Sequence, residues 1–173
     1  MDARYPIGKF EHNGEITGDV LEAWITELEQ LPGKLREAVK NLNEEQCNTA
    51  YREGGWTIRQ VVHHLADTST NYYVRIKQAI TEENPVISTF EENRWAELPD
   101  NKLPIEVSLS LLEALHIRYS NLLRNLRLND FEKIYTHPVS GEITVAYTIG
   151  LYTWHGNHHL AQITSLCERK GWA

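Results

Sequence analysis

Four stretches of this chain carry apolar residues at helical spacing, and each is long enough to be a principal element. Between about Asp19 and Leu42 the apolar positions are Leu21, Trp24, Ile25, Leu28, Leu31, Leu35, Val39 and Leu42, the rhythm of an amphipathic helix. Pro32-Gly33 interrupts the run without shifting its phase, which predicts one kinked helix rather than two. A second helix opens at Thr57, with Gln60 completing a capping box and Trp56 and Val61 placed as a hydrophobic staple. It should run to about Thr81, before Glu83-Asn84-Pro85. A third follows Pro104, with a stripe of Val107, Leu111, Leu115, Tyr119, Leu122 and Leu126, and closes at Asn129-Asp130. A fourth carries Ile149, Tyr152, Leu160, Ile163 and Cys167 and ends near Lys170.

The links are equally informative. Residues 43–55 form a connector, with a helical turn opened by the capping pair Asn43 and Gln46. Residues 84–103 read as a long crossover with a short helix near Glu91–Glu97. Residues 133–145 read as a small β-hairpin turning at Ser140-Gly141. The irregular start, residues 1–17, holds Tyr5, Ile7 and Phe10, which should pack on the body. The expected fold class is all-α: a four-helix bundle with a long crossover between its second and third helices and a hairpin before the fourth. The long link permits parallel, non-sequential neighbours. At 173 residues and 41% hydrophobic, residues 1–173 suit one domain.

Composition removes some function classes. A net charge of −7 argues against a nucleic-acid-binding face. No apolar run approaches the roughly 20 residues that span a bilayer, and the first residues lack the apolar core of a signal peptide. Cys47 and Cys167 form no motif and read as reduced thiols, so a cytoplasmic setting is expected.

The chemistry concentrates in Trp154-His155-Gly156-Asn157-His158-His159, with three of the eight histidines within five residues. His155 and His159 are one helical turn apart and can chelate one metal ion. On the second helix, His64 lies at the edge of the face formed by Ile58, Val61, Leu65, Tyr72 and Ile76, while His63 points farther out. On the fourth, His159 falls near the apolar face, His155 at its flank and His158 outside it. His64, His155 and His159 can therefore converge, with His63 and His158 set aside. Three neutral imidazoles with open positions are a catalytic coordination pattern, and zinc or nickel suits them. The competing reading is three core-edge histidines hydrogen-bonded to their neighbours.

With Trp56-Thr57 and His64, and His155, His159 and Gln162 in place, the pattern resembles the DinB-like superfamily of metal-binding four-helix bundles over nearly the whole chain. Arg4-Tyr5-Pro6-Ile7-Gly8-Lys9-Phe10, Trp95-Ala96-Glu97-Leu98-Pro99-Asp100, His137-Pro138 and Tyr152-x-Trp154-His155-Gly156-x-His158-His159 resemble its YfiT branch. The resemblance implies metal ligands at His64, His155 and His159, a homodimer, and either metal-dependent hydrolysis or bacillithiol S-transfer.

Three functions follow as expectations. In thiol transfer, the metal holds a small thiol such as bacillithiol as thiolate for attack on an electrophilic small molecule. This needs no protein nucleophile, and no Gly-x-Ser-x-Gly motif is present. In hydrolysis, the ion activates water, and Asp67 could orient a ligand ring or act as base. Gln162 is a second candidate for orienting a ligand. In the third reading, the bundle is a metal-stabilised, non-enzymatic dimeric module. His137 either borders the site or only ends a strand, His116 is expected to be exposed or half-buried without a role, and Arg52 and Arg59 could meet carboxylates.

Overall fold

The computed structural model describes residues 2–172. In chain order its elements are α1 (Gly18–Val39), α2 (Glu44–Cys47), α3 (Ile58–Thr81), α4 (Glu92–Trp95), a 3₁₀ turn (Pro99–Lys102), α5 (Ile105–Arg124), α6 (Leu128–Phe131), β1 (Ile134–His137), β2 (Gly141–Thr144) and α7 (Val145–Lys170). The long helices α1, α3, α5 and α7 form the bundle. The two strands pair antiparallel with Tyr135 opposite Ile143, and Gly141, at φ +76°, takes the left-handed conformation their turn requires.

Side-chain partners give the helix directions. Trp24 meets α7 at Gly150 and Leu31 meets it at Gly156, so α1 and α7 run parallel. Tyr73 meets Tyr119 and His63 meets Ser108, so α3 and α5 are also parallel. Arg36 pairs with Glu106 and Arg124 with Glu29, which makes α1 and α5 antiparallel. Trp56 faces His159 and Tyr72 stacks on Tyr152, so α3 and α7 are antiparallel too. Parallel neighbours joined in sequence need a link as long as the bundle, and residues 82–104 supply it. A bridge between Val86 and Thr136 fastens that link to the hairpin.

Both expected capping boxes form, at Thr57 with Gln60 and at Asn43 with Gln46. The third helix differs from the sequence reading. It ends at Arg124, capped by Asn125, because Arg127 and Asp130 cap a separate turn at α6. Its buried stripe is Ser108, Leu109, Leu112, His116, Tyr119, Ser120 and Leu123, whereas Val107 and Leu111 are exposed. The expected stripe holds at Tyr119, with Leu122 and Leu126 partly buried against the core, and misses the first half of the helix, where the inner face carries Ser108 and His116.

His116 is therefore buried, against expectation, and its partners explain why. A proline at position 32 has no N–H for the carbonyl four residues back, Leu28. The His116 Nδ1–H supplies that bond at 2.7 Å. The Tyr152 hydroxyl donates to His116 Nε2 at 2.9 Å and also lies against Ser69 Oγ. Residues from all four long helices meet at this imidazole. Burial pulls its pKa below the ordinary 6.5, so it is held neutral.

α1 and α7 approach closely because two glycines leave room. A methyl at Gly150 would stand 2.6 Å from the Trp24 ring, and one at Gly156 would stand 2.3 Å from Leu31. The N-terminal arm packs on the same helix, with Phe10 against Tyr147 at 5.3 Å and Trp154 at 6.4 Å.

His116→Leu strands the Leu28 carbonyl and lowers stability by about 1–3 kcal/mol. In a Pro32→Ala background the helix supplies its own donor, so a urea-unfolding cycle should show that cost reduced by about 1 kcal/mol. The unfolded chain protonates His116 near pH 6.5 and the folded chain does not. Stability from this group is complete above that pH and is lost as the pH falls, so the His116→Leu variant should have a shallower acid limb. Gly150→Ala should destabilise by about 1–3 kcal/mol through overpacking on Trp24, less up to about 1 kcal/mol of helix propensity, which thermal and urea melts will register.

Candidate metal centre

The antiparallel crossing of α3 and α7 builds the site. The Thr57 cap starts α3 about two turns before His64, and the Thr144 cap starts α7 about three turns before His155. His64, His155 and His159 each present a ring nitrogen, and these nitrogens all lie within 4.8 Å of one another. His64 and His159 are buried and His155 half-buried.

Burial is the first cause that holds all three rings neutral. It pushes His64 down to about 2, with the neighbouring His159 adding to the effect. His155 and His159 are likewise pushed well below 6.5, His155 by burial and then His64 and His158, His159 by burial and then His155 and His158. Neutral imidazole is the form that ligates metal.

The hydrogen bonds point the lone pairs inward. Gln162 Oε1 accepts from His159 Nδ1 at 2.9 Å, which leaves Nε2 unprotonated and facing the cluster. The Gln162 side chain is itself held, its Nε2 donating to the Arg4 carbonyl at 3.1 Å and lying 3.0 Å from His158 Nε2. His64 Nε2 lies 3.3 Å from His155 Nε2 and 3.3 Å from the Thr68 hydroxyl. His155 Nδ1 is buried with no partner among the described residues, so only what meets its Nε2 can fix that ring. Three neutral nitrogen donors converging in this way fit a divalent metal of borderline softness. Trp56 walls one side, its ring 4.5 Å from that of His64 and near-parallel to that of His159 at 6.2 Å.

The other candidates fall as follows. His63 and His158 stay outside the cluster, yet both are buried, which the helical wheel did not show. His63 lies 2.7 Å from Ser108 Oγ and 3.0 Å from the Leu103 carbonyl. His158 stacks on Trp154 at 4.8 Å. A wheel ranks the faces of one helix, whereas α3 packs against α2, α5, α7 and the 3₁₀ turn. The structure does not bring Asp67 to the triad. It makes no hydrogen bond to a ligand ring, and burial, then Asp100, pushes its carboxyl up to about 6. Thr68, a full turn beyond His64, holds the place beside the ring, and helical spacing could have shown it. Arg59 is buried in structural bonds to Asn48, Leu103 and Glu44.

Two cavities share His155 of the triad. One, of about 350 Å³, is lined by His64, His159, Trp56, Tyr5 and Arg52. The other, of about 370 Å³, is lined by Thr68, Tyr72, Arg75 and His137. His155, Glu92 and Asn93 line both. His137 thus ends β1 and also borders the site.

Elemental analysis should find about one metal ion per chain, lost in His64→Ala, His155→Ala and His159→Ala and kept in His63→Ala and His158→Ala. Gln162→Leu should weaken metal affinity by about 10–100-fold while leaving the fold intact, since it frees the His159 ring without removing a donor.

Comparisons with known proteins place the chain in a family and bear on its metal dependence. Residues 27–163 match the model of the DinB superfamily. A protein of Oceanobacillus iheyensis named "Putative metal-dependent hydrolase" is 57% identical, over 99% of this chain and 100% of its own. A Bacillus mycoides protein of the same name is 54% identical, over 99% of each. The solved structure of YfiT from Bacillus subtilis, described as "a probable metal-dependent hydrolase with an unusual four-helix bundle topology", superposes with a TM-score of 0.96 at 43% identity, covering 100% of both chains. A buried three-histidine cluster carried on this bundle, with relatives named for metal dependence, supports a metal-dependent function, and the chain belongs to the DinB superfamily.

Proposed function

We propose that this chain is a metal-dependent enzyme that transfers a small thiol, of the bacillithiol type, to an electrophilic small molecule. The observation that supports the reading best is that two cavities share His155 of the three-histidine site. Two cavities that share one centre can hold two substrates against it in a reactive orientation. The site also lacks a side-chain nucleophile: Cys47 and Cys167 are buried elsewhere and burial raises both thiols.

In this reading His64, His155 and His159 hold a zinc or nickel ion. Bound there, a divalent ion lowers the pKa of a thiol or water at its open positions. The protein's own part is orientation and exclusion. Gln162 fixes the His159 ring, Trp56 closes one side to solvent, and Thr68 lies beside His64. The net change forms a sulfur–carbon bond and breaks the bond from carbon to the leaving group, while the thiol proton departs to solvent.

Metal-dependent hydrolysis is the second reading. The relatives' names favour it, and Glu92, exposed and lining both cavities, is the carboxylate placed to serve as base. A homodimer belongs to the same proposal, supported by the exposed apolar residues Trp95, Leu98, Leu103, Val107 and Leu111 along the crossover and α5. No helix among the described residues is long and apolar enough to cross a membrane.

The deciding experiment incubates the metal-loaded protein with bacillithiol and a panel of electrophiles, followed by mass spectrometry. Conjugate should form well above the uncatalysed rate and vanish after chelation and in His155→Ala. Turnover of esters, amides or lactones without added thiol would establish hydrolysis instead. Neither activity in fully loaded protein would leave the non-enzymatic module.

A further inference from the structure

The cavity on the far side of His155 is lined by a buried cation that forms no salt bridge among the described residues. Arg75 lines it and is only 8% exposed. Its Nη2 donates to the Ser88 carbonyl at 3.0 Å, and its Nε is buried with no partner. Among the described residues it forms no salt bridge, in contrast with Arg36, Arg59 and Arg124. The Tyr72 ring lies under the guanidinium at 5.4 Å, which offsets part of the charge but is not an anion. A buried guanidinium is costly unless an anion pairs with it.

We propose that this cavity is the carboxylate-binding subsite for the substrate, with Arg75 as its anion receptor and the three-histidine site at its inner end. The placement against the metal rests on the preceding functional reading; the anion receptor stands on the cavity and the unpaired guanidinium. A guanidinium matches the planar fork of a carboxylate. His137 adds a second donor. Its Nδ1 accepts from the backbone N–H groups of Val139 and Ser140, both at 3.2 Å, so the ring proton sits on Nε2. One guanidinium charge suits a monoanion. A phosphate dianion would lack matching charge and would meet Glu91 and Glu92, which also line the cavity. The volume of about 370 Å³ admits a small molecule rather than a peptide.

The test uses zinc-reconstituted protein and calorimetric titration with mercaptocarboxylates of about two to six carbons, each beside the mercapto alcohol of equal length. Wild type should prefer at least one acid over its alcohol. Arg75→Met should weaken that acid by about tenfold or more while leaving the alcohol and the metal content unchanged. Arg75→Lys should keep part of the preference. In metal-free protein, propionate should shift the Arg75 Nε–H resonance, assigned by its loss in Arg75→Lys. No acid preference in wild type, or one that survives in Arg75→Met, would overturn the subsite. If Arg75→Met does not fold, the wild-type preference and the resonance shift decide. If wild type takes up no metal, the functional reading falls, and the propionate titration alone judges Arg75.

Discussion

One hydrogen bond, from His116 to the Leu28 carbonyl, sets the terms for the rest of the bundle. A proline in the middle of α1 should break it, because a carbonyl is stranded in the core. A side chain from α5 fills the missing donor, and α1 continues unbroken to Val39. Leu31 can then seat on Gly156, between the two α7 ligands. The same imidazole accepts from Tyr152, which lies one turn before His155 and touches Ser69 on α3. The relative placement of α3 and α7 that gathers the three histidines is thus pinned one layer below them by a neutral polar cluster. A cluster of this kind specifies one arrangement where an apolar core would accept several.

Much of this was legible in the chain. His64, His155 and His159 converge as the wheel reading required, since each needed only the phase of its own helix and the caps at Thr57 and Thr144 anchor that phase. The kind of order that escaped reading is the number of neighbours a helix has. His63 and His158 looked outward on the wheels, yet further elements lie on those faces too. On α5 the inner face is marked by Ser108, His116 and Ser120, polar residues whose partners are remote in sequence, while Val107 and Leu111 imitate a core stripe on the outside. Arg75 gave no signal, because a buried cation on a helix reads as an ordinary surface charge until its surroundings are known.

The electrostatics of the site divide cleanly. At the triad the three rings are neutral, kept so by burial, with a glutamine and a threonine as hydrogen-bonding neighbours and Arg52 on the cavity wall beyond them. The Arg75 side holds a fixed positive charge. His155 stands between the two, and Glu92 and Asn93 at the tip of α4 form a shared wall. The crossover that carries this wall exists because parallel helices need a long connection. The bundle's topology and the shape of its cavities are therefore one property seen twice.

The parallel pairing of α1 with α7 also has a consequence for the order of synthesis. Trp24 and Leu31 leave the ribosome well over a hundred residues before Gly150 and Gly156, their partners. Neither the α1–α7 seam nor the third and second ligands of the triad can form until the C-terminal helix has emerged. The nascent chain must hold the apolar face of α1 without its final partner for that interval, the situation in which long-range contacts delay folding and expose sticky surface. The three-histidine cluster is thereby completed only after α7 has emerged.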